Sequence, residues 1–89
     1  MAKVETDKAR EELLKMGPKP EVWPLWPLLP VKSRTKKVGP FPLLGYVMEE
    51  KSAVIKVYGG DIFQVNQNDP VIATYETWDA MANDGWVVD

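Results

Sequence analysis

The chain has 89 residues, 45% of them hydrophobic and 27% charged, with a net charge of −2, a balance that fits one globular domain and excludes wholesale disorder. It contains no Cys and no His, which excludes disulfides, thiolate metal sites and the imidazole chemistry on which most catalytic and metal centres depend. Four Trp and eight Pro are the unusual part of the composition.

Residues 4–16 read as a helix. Thr6 is placed to cap it, with Asp7 in the first turn, where a negative charge meets the positive end of the helix dipole. Ala9, Leu13 and Met16 share one face, and Gly17-Pro18 is a strong stop. The apolar stripe is narrow and the helix short, so it needs a surface to dock on.

Residues 18–42 hold seven of the eight prolines. Proline disfavours α geometry in the residue before it, so Trp23-Pro24-Leu25-Trp26-Pro27-Leu28-Leu29-Pro30 is expected as an extended, polyproline-like arm. All three edges of such an arm would be apolar, which no solvated linker shows. The arm therefore packs either on its own sheet, filling out a thin core, or in a groove of another protein. Lys32-Ser33-Arg34-Thr35-Lys36-Lys37 follows, four cations in six residues, and with Val38-Gly39-Pro40 it reads as a loop.

Residues 43–58 read as a β-hairpin, with strands over 43–48 and 53–58 and a polar turn at Glu49-Glu50-Lys51-Ser52. Gly59-Gly60-Asp61 is a turn rather than a phosphate loop, since no Lys-Ser or Lys-Thr follows at a helix start. Ile62 to Val65 is a third strand and Val71 to Ala73 a short fourth. Thr74 is placed to cap a helix over 75–83 whose face is Tyr75, Trp78, Met81 and Ala82. Asn83-Asp84-Gly85 ends that helix, and Trp86-Val87-Val88 is a closing strand or docking tail.

The expected fold is α+β: a small antiparallel meander of three or four strands, a short C-terminal helix, an N-terminal helix and the extended Pro/Trp arm. Residues 1–40 would form the helix and arm and 41–89 the compact core, together one domain. Fewer than 50 core residues without metal or disulfide is small, which is why the arm is expected to complete it.

Functional expectations follow from the same residues. Trp23, Leu25, Trp26, Leu28 and Leu29 are candidates for an apolar partner contact, because Trp dominates binding hot spots and a stiff proline-rich segment loses little entropy on docking. Lys32, Arg34, Lys36 and Lys37 would form its polar rim and steer an acidic partner. This points to a non-catalytic interaction or accessory subunit that meets another protein or a second copy of itself. The alternative is a single-stranded nucleic-acid or phosphate binder using the Lys32–Lys37 run beside stacking aromatics, against which stands an acidic sequence pI near 5.1. Two PxxP spacings, from Pro24 to Pro27 and Pro27 to Pro30, are also present but carry bulky Trp residues that such ligands rarely have.

Asp61, Asp69, Asp79 and Asp84 are the acids of the back half that could do acid–base or metal work, and nothing in their spacing pairs them. No catalytic residue, metal or cofactor is expected. The longest apolar stretch, Val22 to Val31, is far short of the ~20 residues a membrane helix needs, and the first residues carry no secretory signal, so a cytoplasmic location is expected. Residues 1–56 hold all 11 Lys and Arg against seven acids, whereas 57–89 hold six acids and no base. The two halves either complement each other when folded or mark an interaction surface.

Overall fold

The structure is a computed structural model that describes residues 8–60 and 68–89. In chain order the elements are α1 (Lys8–Met16), a single 3-10 turn (Pro20–Val22), β1 (Leu28–Val38), β2 (Phe41–Met48), β3 (Ile55–Gly59), β4 (Val71–Tyr75), α2 (Trp78–Asn83) and β5 (Trp86–Val88). The strands form one antiparallel sheet of order β4-β3-β2-β1-β5. Four strands run as a meander. The chain then crosses from one edge to the other through α2, and β5 pairs with β1.

α1 is built from good helix formers, with Glu11 in its first turn and Lys15 in its last, both favourable to the helix dipole. It stops where Gly17 donates to the Leu13 carbonyl at 2.8 Å and Lys19 to that of Met16 at 2.9 Å. Thr6 and Asp7, the expected cap, lie outside the described residues, as does the strand expected over Ile62–Val65. α2 begins one turn later than the sequence implies. Thr77, not Thr74, is the cap and accepts from the Ala80 amide at 3.0 Å. Thr74 and Tyr75 belong to β4, where a β-branched and an aromatic residue sit well on a pleated surface.

The core lies between one sheet face and the two helices. Leu29, Val47, Val57 and Ala73 stand in register across four strands. Leu13 from α1, Met81 and Ala82 from α2, and Val31, Trp86 and Trp23 complete it. Burying side chains of this size is worth about 1.5–3 kcal/mol each, so the docking of α1 through Leu13 compensates for its marginal helix length. In the next row Val31 faces Gly45, which faces Gly59. Ile72 lies across both glycines. A Cβ on Gly45 would come within 2.8 Å of the Tyr58 carbonyl oxygen, so the close approach of β2 and β3 requires glycine there.

Three expectations need correction. The sheet has five strands among the described residues, not three or four, because Leu28–Val38, proline-bearing at one end and cationic at the other, pairs as β1. The Lys32–Lys37 run is strand, not loop, and is irregular: Lys32 faces Leu44 and Lys37 faces Pro42, so four residues of β1 bulge opposite Leu43. The bulge turns on Ser33, whose buried hydroxyl accepts from the Thr35 amide at 3.2 Å and the Lys36 amide at 2.9 Å. Finally, the extended arm is absent as such. Residues 20–27 are turns and the Trp26–Pro27 peptide is cis. Residues 28–38 lie between β2 and β5, so the boundary drawn at residue 40 falls in the tip of a hairpin. Pro30 is tolerated in this inner strand because its carbonyl accepts from the Asp89 amide at 2.9 Å, so its donorless nitrogen faces the same side, past Val88 where β5 ends.

Candidate interaction surface

Of the sequence-selected contact residues, Trp23 and Leu29 are core. Trp23 is 5% exposed, and its indole N–H donates to the Met16 carbonyl oxygen at 2.8 Å. Leu28 is half-buried. Leu25 and Trp26 remain outside, and Trp26, at 61% exposure, is held by a hydrogen bond from its indole N–H to the Glu49 carboxylate. The expected apolar contact is thus divided by burial, Trp23 and Leu29 inside and Leu25 and Trp26 outside.

The four cations are divided as well. Lys36 reaches the Asp84 carboxylate at 2.8 Å and its ammonium stands 5.9 Å from the Trp86 ring centroid. Lys32 is 3.8 Å from Asp89. Both pairs join the basic front half to the acidic back half, so the two halves do complement each other at these points. Arg34 donates its amide to the Gly85 carbonyl at 2.8 Å, and Thr35 its hydroxyl to that of Asp84 at 3.0 Å. The turn after α2 is therefore clamped on the bulge. Asp84 also accepts from the Tyr75 hydroxyl, which accepts from the Trp86 indole at 2.7 Å. The Lys36 contact, then that of Tyr75, holds the Asp84 carboxyl below its ordinary value.

Apart from the exposed Leu44, Val71 and Ile72, two exposed apolar groups stand at opposite ends of β2. The first is the tip of the β1–β2 ribbon, where every residue from 34 to 42 is exposed. Gly39 has φ +61 and precedes Pro40, the arrangement of a two-residue turn whose first position needs left-handed backbone. Val38 and Phe41 face each other across the strands, 63% and 69% exposed, and Lys37 faces Pro42 in the next pair. The sequence reading missed Val38 and Phe41. Their signal was the aromatic between two prolines, Pro40-Phe41-Pro42, beside a Gly-Pro turn.

The second group surrounds a cleft of about 230 Å³ at the far end of the sheet. Val47 and Ile55 line it from the strands, Trp23 and Trp78 from beside them, and Glu49 and Glu50 from the loop after β2. Glu49 continues into a shallower depression with Pro20, Glu21 and Trp26, and exposed Val22 and Leu25 stand in the adjoining turns. The one base in the lining, Lys56, lies 4.0 Å from Glu50, which also accepts from the Tyr58 hydroxyl. Lys19 and Lys51 sit in the flanking turns.

On the sheet face away from the helices, Tyr46 stacks on Tyr58 at 5.5 Å and donates to Asp69 at 2.6 Å. Burial first, then this hydrogen bond, pushes the Tyr46 hydroxyl up to about 12. Of the other acids, Asp79 lies in the first turn of α2 and Asp61 lies outside the described residues. Among the described residues no group of three or more acids could hold a metal ion, and no helix is long and apolar enough to cross a membrane.

Compared with known proteins, the chain matches no family model, no curated protein and no solved structure.

Proposed function

We propose that the protein is a non-catalytic interaction or accessory subunit that docks on another protein through the exposed apolar residues of its 22–48 stretch. The observation that carries this reading is where the exposed apolar residues fall. Among the described residues, Val22, Leu25, Trp26, Val38, Phe41 and Leu44 lie in that stretch, and of the exposed large hydrophobic residues only Val71 and Ile72 lie outside it. A small domain short of apolar area for its own core gains nothing from leaving this much outside unless a partner covers it. The same stretch contains four cations and no acid; with Lys32 and Lys36 paired to Asp89 and Asp84, Lys37 beside Phe41 is the one that would meet an acidic group opposite. Trp23 and Leu29 drop out of the contact, since both support the fold; Val38 and Phe41 take their place.

The nucleic-acid alternative loses support from the pairing of Lys32 and Lys36 with Asp89 and Asp84. Affinity capture separates the two. Immobilised wild type and a Val38→Ser/Phe41→Ser variant of equal melting temperature are exposed to extract of the producing organism. A protein retained by the first and lost from the second supports the reading. Equal retention by both overturns it. So does single-stranded DNA binding that weakens steeply with salt and survives the double substitution.

A further inference from the structure

We infer that the partner for both exposed ends is a second copy of this chain, the ribbon tip of one molecule entering the cleft of the next. This rests on the interaction reading above and names its occupant.

The two ends are complementary in shape and chemistry. The tip is narrow and stiff, fixed by the Gly39-Pro40 turn with Pro42 behind it, and it presents the Phe41 ring and Val38 outward. The cleft at the other end is aromatic, walled by Trp23 and Trp78, and its volume of about 230 Å³ is enough for a phenylalanine side chain. Aromatic rings meeting edge-to-face in such a site gain ~0.5–1.5 kcal/mol beyond the area they bury. The charges correspond as well. Lys37 flanks the tip, and Glu21 and Glu49 line the cleft and its extension, where Glu50 is already matched by Lys56.

The ends cannot meet within one molecule. β2 starts at the tip and finishes at Met48 beside the cleft, so its eight residues hold them apart, about 23 Å at ~3.3 Å per residue. Tip and cleft are different surfaces, so the contact gives either a two-fold dimer in which each tip fills the other's cleft or, where the rotation does not allow that, a larger ring or a filament. Burying charged rims around an apolar centre makes the association sensitive to salt as well as to loss of the ring.

The test uses the full chain in sedimentation velocity, over a concentration series at low and high salt. Wild type is expected to associate to a dimer or larger as concentration rises at low salt. Phe41→Ser blocks the tip and Ala53→Arg, at an exposed position lining the cleft, blocks the cleft. Each variant alone is expected to stay monomeric, with self-association weakened about tenfold or more, as loss of an aromatic anchor gives. Mixed, they retain one good tip and one good cleft between them and are expected to form a one-to-one pair and nothing larger. Both positions are exposed, and unchanged melting temperatures confirm the fold; Val38→Ser replaces Phe41→Ser if that variant melts early. Wild type that remains monomeric throughout overturns the inference, as does wild type that associates while the mixed variants do not pair. Capture of a different protein by the tip, in a chain that stays monomeric, leaves the interaction reading standing without this one.

Discussion

Lys36 and Asp84 stand 48 positions apart in the chain and 2.8 Å apart in the fold. Their contact ties the bulge of β1 to the turn after α2, and the same carboxylate takes the Tyr75 hydroxyl. A carboxyl held below its ordinary 3.8 stabilises the fold above that value, and the contribution fades as pH falls through the lowered folded value. Melting curves of wild type and Asp84→Asn should therefore be separated at neutral pH and converge below about pH 3.8. A gap that stays constant to strong acid would show that the carboxylate's charge contributes nothing.

Trp23 and Trp26 each precede a proline, yet one is core and the other surface. Trp23→Ala should cost ~3–5 kcal/mol, the usual range for a buried tryptophan, because it also leaves the Met16 carbonyl without its donor. Trp26→Ala should fall within ~1 kcal/mol, since its exposed ring gives up mainly a surface hydrogen bond to Glu49. Urea unfolding of the two variants against wild type measures both, and equal losses would contradict the placement of the rings.

Tyr46 and Tyr75 predict the alkaline limit of the fold. Burial is the main cause that pushes each hydroxyl up to about 12, with carboxylates of Asp69 and Asp84 adding to it. For a group whose folded value is raised, the stability is fully present below the unfolded value near 10 and is lost as pH rises towards 12. Burial and then Glu50 raise the Tyr58 hydroxyl too, so phenolate absorbance should show all three tyrosines ionising late in the native protein, Tyr46 and Tyr75 by the most, and in step with free tyrosine in urea. Tyr46→Phe should remove one late step and reduce the loss of stability at high pH.

Much of the fold was legible where local signals agreed with the tertiary outcome. Gly17-Pro18 and Asn83-Asp84-Gly85 ended helices, residues 43–48 and 53–58 gave nearly the strands seen, and Trp86-Val87-Val88 closed the sheet. The failures share a cause. Lys32 to Lys37 carries no apolar alternation because the bulge places four consecutive residues opposite one, so period-two reasoning has nothing to act on. The Pro-rich segment implied extension correctly for Leu28 and Leu29 but not the turns over 20–27 that carry Trp23 inward. Which of two Trp-Pro pairs turns inward is decided by the Met16 carbonyl and the end of α1, which no local window contains. The candidate site was legible only in part for the same reason: composition located the apolar excess in the first half, and only the register of β1 on β2 brought Val38 to Phe41.

The position of β5 bears on how the protein is made. Trp86–Val88 seals β1 from a point more than fifty residues later in the chain, so during synthesis Leu28–Val38 has a neighbour on one side only until that last strand has left the ribosome. For that interval one strand edge and the seat of the Trp86 ring are open, which leaves the nascent chain exposed to mispairing until β5 docks. Slowing synthesis once β1 and β2 are outside the ribosome and before Trp86 emerges would prolong that state.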